Sequence, residues 1–324
     1  MMTVPTTTLG SRGPLVSRIG LGLAALGRPA YITAGRGGDL PNRSVDGLRD
    51  QSFLVLDCAY AAGVRYVDAA RSYGRAEEFL GQWLAARDHP DVVVGSKWGY
   101  RYVGDWQLDA DQHEVKEHSL AMFSTQLAES RARLGDRIAL YQVHSATLDS
   151  GVFEDQELLA ALAQLRADGV LVGLTTSGPA QADTLRHALT VTVDGQPVFG
   201  AAQVTWNLLE PSVGPAAAEA ADAGWPVLVK EAVANGRLVP GQAPPALTEL
   251  AASQGVTEDA VALAAVLANP WATVVLSGAV TPGQLQSNLD ALVVGALSEP
   301  TLSELDLAEP PEEYWAARSA RPWG

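Results

Sequence analysis

The sequence predicts an α/β fold: a closed (β/α)8 barrel of the TIM type with an N-terminal β-hairpin. Apolar runs of strand length alternate with helical patterns eight times along 324 residues. No shift in composition marks a second domain, so residues 1–324 are taken as one unit. Polar residues stand singly at the carboxyl ends of these runs: Asp68 after RYV, Lys97 after VVVGS, His144 after LYQV, Ser177 after VGLTT, Gln203 after AA and Lys230 after VLV. Buried parallel strands are apolar throughout, and barrel active sites are built at the carboxyl ends of the strands. The GxGxxG fingerprint of a dinucleotide-binding open sheet is missing after the early strands, which favours the closed barrel.

The elements follow in order. In TTTLGSRGPLVSRIGLGLA, Gly13-Pro14 separates two apolar stretches, a hairpin pattern leading into a first strand at about Ile19–Gly22. Residues 28–43 are rich in Gly and Pro and form a long loop. Ser44 caps a helix running to about Ala62, with Gly63 as its stop. Strand VRYVD, helix AEEFLGQWLAAR and strand DVVVGSK come next, then a second long loop, 98–117, carrying Trp98, Tyr100, Tyr102 and Trp106. A helix from about His118 to Leu134 leads to strand IALYQV, and helix 154–168 ends at Gly169 before VLVGLTT. Helix 181–189 precedes AAQV, helix 215–223 ends at Gly224 before VLV, and helix 258–268 precedes TVVLS. A last helix covers 282–293, and a polar tail with Pro310-Pro311 closes the chain.

Composition narrows the function classes. Hydrophobic residues make up 47% and charged residues 18%, enough for a large core. A net charge of −15 argues against nucleic acid or an anionic membrane as partner. It does not exclude an anionic cofactor, which a few local cations and helix N-termini can hold. The single cysteine, Cys58, sits in a helical pattern and reads as a small buried hydrophobe. The N-terminal segment lacks the charged-then-apolar pattern of a signal peptide, and no apolar stretch is long enough to span a bilayer; a cytoplasmic location is expected. His89, His113, His118, His144 and His187 show no ligand spacing, so no metal site is expected.

The polar strand ends suit one kind of chemistry. Tyr73 follows Asp68 by five residues, on the loop above the second strand. A free tyrosine is a poor acid at neutral pH, but a lysine cation nearby favours the phenolate and a carboxylate holds that lysine in place. Asp68 and Lys97 lie on adjacent predicted strands, with His144 on the next. Together these groups suit proton donation to a carbonyl oxygen becoming an alkoxide. Singly each has an ordinary role: a solvated lysine, a helix cap at Asp68, a packing tyrosine, a near-core histidine, a rim-bonding Gln203. Their recurrence at successive strand ends makes that set of coincidences improbable.

These residues also carry a resemblance. GVRYVDAARSYGRAEEFLG resembles the aldo-keto reductase signature, in which Gly, Asp, Ala, Tyr-Gly and Glu recur in order; Asp68, Tyr73, Lys97 and His144 fall on that family's catalytic tetrad. LTTSG resembles the strand-five segment, although Gly178 follows Ser177 where the family usually has Asn. AAQVTWNLLE resembles strand six, with Gln203 at the nicotinamide-carboxamide position and Trp206 near a stacking aromatic. VLSGAVTPGQLQSNL resembles the phosphate-binding end of strand eight. The resemblance runs from about Thr8 to Leu292 and implies an NADP- or NAD-dependent carbonyl reductase, with Tyr73 as the acid, Lys97 and Asp68 tuning it, and His144 positioning the carbonyl. It also implies cofactor contacts at Ser177, which with Gln203 would meet the nicotinamide amide, and at Ser277, Gly278 and Ala279, with Gln284 and Asn288 near the adenosine end.

Two departures bear on the cofactor. Ser277 to Leu289 contains no Lys or Arg to pair a 2′-phosphate, which weakens NADP, the family default, relative to NAD. Lys230-Glu231 replaces the usual apolar residues after strand seven; Lys230 either supplies the missing cation or, the preferred alternative, pairs with a carboxylate such as Glu231. Tyr31, Trp98 and Tyr100 are candidate pocket walls. Three activities are carried forward: carbonyl reduction, oxidation of a sugar hemiacetal or polyol by the same chemistry, and a slowly turning cofactor-binding regulatory subunit. The substrate is expected to be a small carbonyl compound or sugar, and the oligomeric state is not legible.

Overall fold

In a computed structural model of the chain, residues 4–32, 36–295, 297 and 299–324 are described. Eight parallel strands close a barrel: β1 (Ile19–Gly22), β2 (Tyr66–Asp68), β3 (Val93–Trp98), β4 (Ile138–Ala146), β5 (Leu171–Thr176), β6 (Ala202–Thr205), β7 (Val227–Lys230) and β8 (Ala272–Ser277). Each pairs with its neighbour in sequence, and β8 returns to pair with β1. Around them lie α1 (Val45–Ala61), α2 (Ala76–Arg87), α3 (Leu120–Leu134), α4 (Gln156–Ala167), α5 (Gln181–Thr190), α6 (Gly214–Asp222), α7 (Pro245–Gln254), α8 (Glu258–Leu267) and α9 (Pro282–Leu289). Ser44 caps α1 as expected, its hydroxyl accepting the Gly47 N–H at 3.1 Å. The hairpin pairs Thr6–Thr8 with Leu15–Ser17, and buries Leu9 and Val16 against Tyr66, Leu140 and Leu228 at the amino-terminal end of the strands. No single helix among the described residues is long and apolar enough to cross a membrane.

Strand alternation divides the barrel interior into layers. Tyr66, Leu140, Leu228 and Val274 fill the lower part. Further along five of the strands the inward positions turn polar, at Asp68, Lys97, Gln142, Gln203 and Lys230, whereas Leu276 keeps β8 apolar there. Gly95 makes the transition possible, because a Cβ there would lie 2.0 Å from the Tyr66 hydroxyl. The apolar floor thus keeps water out from below, and the polar layer opens upward to the loops.

Three segments differ from expectation. The loop 98–117 contains a small antiparallel ribbon, Tyr100–Tyr102 with Glu114–Lys116, that stands over the barrel mouth. Helix α7 falls in a segment for which the sequence predicts no element, although Pro245 in its first turn and the left-handed Gly255 at its end are helix signals. The polar tail is the largest correction. Residues Pro311–Ser319 form a helix, α10, that buries Tyr314 and Trp315, and the following residues fold back so that Gly324 exchanges two backbone hydrogen bonds with Tyr31. Glu312 and Glu313 in its first turn and Arg318 in its last are the charge pattern of a helix.

Candidate active site

The polar layer and the loops above it enclose a cavity of about 880 Å³. Asp68, at the end of β2, and Lys97, facing inward from β3, form an ion pair buried beyond the reach of water. Lys97 also donates to the Ala69 carbonyl at 3.0 Å, and Gln203 Nε2 donates to Asp68 Oδ1 at 2.9 Å. Tyr73 is set over this pair by a tight loop: Gly74 adopts φ 58°, and a Cβ there would strike the Gly27 carbonyl at 2.4 Å. The Lys97 ammonium consequently lies 4.9 Å from the centre of the Tyr73 ring, and the His144 ring stands edge-on to it at 5.5 Å. Ser145, directly after His144, has φ 54° at a register shift in β4 and holds its N–H on Thr175 Oγ1 at 2.7 Å. A bulge of this kind re-aims the preceding side chain into the cavity.

Electrostatics fix the protonation states. Burial and the neighbouring Asp68 push Tyr73 well above the usual tyrosine range, with Arg28 only partly opposing them. Lys97 is not among the causes that shift Tyr73, and the net shift is upward, so Tyr73 is a phenol at neutral pH. Burial, then the cations Lys97, Arg28 and Lys230, drive His144 well below the ordinary histidine value, so its imidazole is neutral. Its Nδ1 lies 3.3 Å from Ser72 Oγ, leaving the other ring nitrogen for a ligand. Burial lowers Lys97, against the attraction of Asp68.

The remaining expected residues divide. Tyr31, Tyr100, Ser177, Gln203, Ser277, Gly278, Ala279, Gln284 and Asn288 all line the cavity. Trp98 and Trp206 do not. Trp98 follows inward-facing Lys97 and so points outward, fully buried between His118 and Phe123. Trp206, three residues after inward-facing Gln203, likewise faces outward and packs against Trp271.

A nicotinamide cofactor can be tested against these walls. Gln203 Oε1 is buried without a hydrogen-bond partner, which suits the amide of a carboxamide. At the far side, Ser277 Oγ and Gln284 Oε1 already accept the N–H groups of Ala279 and Val280, and Pro282 has none to offer. The Gly283 N–H, in the first turn of α9, has no intrahelical acceptor and is open to a phosphate. Asp39 accepts from Gln284 Nε2 at 2.8 Å, and Asp259 accepts from Ser287 and Asn288, leaving Asp259 Oδ1 unpartnered. No Lys or Arg lines this end among the described residues. The residues present fit a nicotinamide cofactor. No cluster of three metal-ligating side chains occurs among the described residues.

Several site residues carry no signal in the sequence pattern. Arg28, buried, forms a 2.7 Å ion pair with Glu114 of the ribbon and lies 5.1 Å from the Tyr73 ring. Arg318 of α10 engages both oxygens of Glu231, at 2.5 and 2.9 Å. Trp323 lies under Arg28 and stacks on His113 at 4.4 Å.

The family model described as "Aldo/keto reductase family" matches residues 18–309. The chain belongs to the aldo/keto reductase family. Aldo-keto reductase str7 of Strobilurus tenacellus is 31% identical over 58% of the chain and 49% of its own length. D-threo-aldose 1-dehydrogenase of a Pseudomonas species is 28% identical over 56% of the chain and 57% of its own length. These matches span about half the length of the curated relatives. An aldo-keto reductase from Bacillus halodurans in its holo form superposes with a TM-score of 0.72 over 95% of the chain and 97% of its own, at 21% identity, a likeness of fold.

Proposed function

We propose that this chain is a nicotinamide-dependent oxidoreductase that interconverts a carbonyl and an alcohol, with reduction as the direction its site favours. One observation carries this: a protonated Tyr73 and a neutral His144 share the mouth of the barrel with a buried Lys97–Asp68 pair. The cofactor supplies a hydride to the carbonyl carbon. Tyr73 donates its proton to the carbonyl oxygen as negative charge develops there, the Lys97 cation beneath the ring stabilises that charge, and the free His144 nitrogen orients the oxygen. Asp68 keeps Lys97 in place and in turn holds Gln203 on the cavity floor.

NAD(H) fits better than NADP(H). A 2′-phosphate would face Asp39 and Asp259, whereas ribose hydroxyls can donate to those carboxylates. This preference supports a second reading, oxidation of an aldose or polyol, the activity for which the Pseudomonas relative is named. Both are tested with the purified protein in both directions over an aldehyde, ketone and aldose panel. Titration by fluorescence quenching is expected to show NADH binding at least tenfold tighter than NADPH. Tyr73→Phe is expected to lose turnover by about 10²–10⁴-fold while NADH binding persists. Full activity in that variant would overturn the assignment, and faster aldose oxidation than carbonyl reduction would favour the second direction.

A further inference from the structure

Four cations gather at the catalytic half of the cavity; three hold a carboxylate at close range, and Lys230 pairs with Glu231, as the preferred sequence reading expects, but only at 3.8 Å and sharing it with Arg318. Lys97 pairs with Asp68, Arg28 with Glu114, and Arg318 with Glu231. Lys230 is the fourth. It ends β7 facing inward, in register with Thr205 of β6 and two residues beyond Leu228 of the barrel floor. Its nearest carboxylate oxygen, Glu231 Oε1, is 3.8 Å away and already bound by Arg318 at 2.5 Å. The one close hydrogen bond of Lys230 goes to Thr205 Oγ1 at 2.6 Å. An ammonium has three N–H donors, so two remain for the cavity that it lines.

We propose that Lys230 is the specificity-determining residue of the site and that it receives a carboxylate on the substrate, making the preferred substrate an oxo acid. The inference rests on the carbonyl-reducing role of Tyr73 only for the fate of the carbonyl; the anion site is built by other residues. A carboxylate entering here gives Lys230 a close partner of its own, and the charge-assisted hydrogen bonds it can accept from the two remaining N–H groups are stronger than neutral ones. The backbone around Lys230 is also held in an unusual shape, with left-handed φ values at Glu231 (58°), Ala234 (48°) and Asn235 (53°). Asn235 donates to Glu231 Oε2 at 3.3 Å, and Arg318 clamps the same carboxylate, so Glu231 is shared between two cations and stays at 3.8 Å from Lys230. Burial brings Lys230 down to about 8, so it is still mostly charged at neutral pH and ready to pair.

Pyruvate and succinic semialdehyde, each compared with its own methyl ester, isolate the charge from the carbon skeleton. The wild-type enzyme is expected to favour at least one acid over its ester in kcat/KM. Lys230→Met is expected to lower that acid-to-ester ratio by about 10- to 100-fold, and Lys230→Arg to retain most of it. Lys230→Gln provides a second neutral variant should the methionine fold poorly. A wild-type enzyme indifferent to the charge, or a Lys230→Met variant with an unchanged ratio, overturns the proposal. So does a variant whose main defect is weaker NADH binding, which would assign Lys230 to the cofactor. If no carbonyl compound turns over, the reductase assignment falls, yet calorimetric titration of oxamate into the NADH complex still decides this one: binding lost in Lys230→Met supports the anion site, and equal binding in both proteins rejects it.

Discussion

The buried Lys97–Asp68 pair allows stability and chemistry to be separated. Lys97 is fully enclosed, with Asp68 and the Ala69 carbonyl as its partners, and Asp68 has Gln203 as its other donor. Lys97→Met leaves a buried carboxylate with one neutral donor, and Asp68→Asn leaves a buried ammonium with two neutral acceptors. Breaking a buried pair from one side costs about 3–5 kcal/mol, so each single variant should lose that much. The double variant buries no charge: the methionine fills the volume of the lysine stem, and the carbonyl of the introduced asparagine still accepts from Gln203. It should return to within about 1.5 kcal/mol of wild type, a coupling of about 4.5 kcal/mol or more. Urea denaturation followed by circular dichroism at pH 7 gives all four corners of the cycle. Turnover should not return with stability, because the charge beneath Tyr73 is gone; the double variant should remain down on the order of 10²–10³-fold. Single variants that lose less than about 1 kcal/mol, or losses that simply add, would refute the pairing argument. A stable double variant with near-normal turnover would remove Lys97 from the chemistry.

Two further outcomes test the frame around the site. Gly95→Ala forces a Cβ against the Tyr66 hydroxyl and should destabilise the barrel by about 1–3 kcal/mol, with Tyr66→Phe recovering part of the loss; an undiminished thermal midpoint in the single variant would contradict this packing. The second concerns Lys230, which faces Glu231, Arg318, Lys97 and Asp68 and whose folded value near 8 lies below the unfolded 10.5. Between those values the unfolded chain holds a proton that the folded one has released. The wild type therefore gains stability as pH rises through that window, by up to about 3 kcal/mol relative to Lys230→Met. The methionine variant should be the more stable at pH 7, with the gap narrowing by pH 10. A gap that stays constant in urea titrations would rule out this titration.

The barrel is legible in the sequence because its signals are local. Each strand is an apolar run with a fixed two-residue alternation, and that alternation places Asp68, Lys97, Gln203 and Lys230 on the inside once the register is known. The same rule explains why two expected contacts fail. Trp98 and Trp206 stand close to Lys97 and Gln203 in sequence, but residues at odd offsets along a strand face the opposite side. Gln142 shows that the alternation holds more than the strand ends alone reveal: it lies two residues before His144, and its amide is buried with both polar atoms unpartnered. Helix α10 is hidden by its composition, since exposed Glu, Ala and Arg resemble a solvated tail until Tyr314 and Trp315 are seen to be buried.

The half of the site that sets specificity follows a different logic. Arg28 reaches Glu114 across 86 residues, and Arg318 reaches Glu231 across 87. No periodicity links such residues, and each alone looks like an ordinary surface charge. Only their pairing gives them meaning, because a buried charge is informative through the partner it has or lacks. In the proposed mechanism the motif-bearing strand ends serve proton transfer to any carbonyl. Which carbonyl is preferred follows from the charge balance among the loops: with Glu231 held by Arg318, Lys230 is the cation whose counter-charge a substrate can bring.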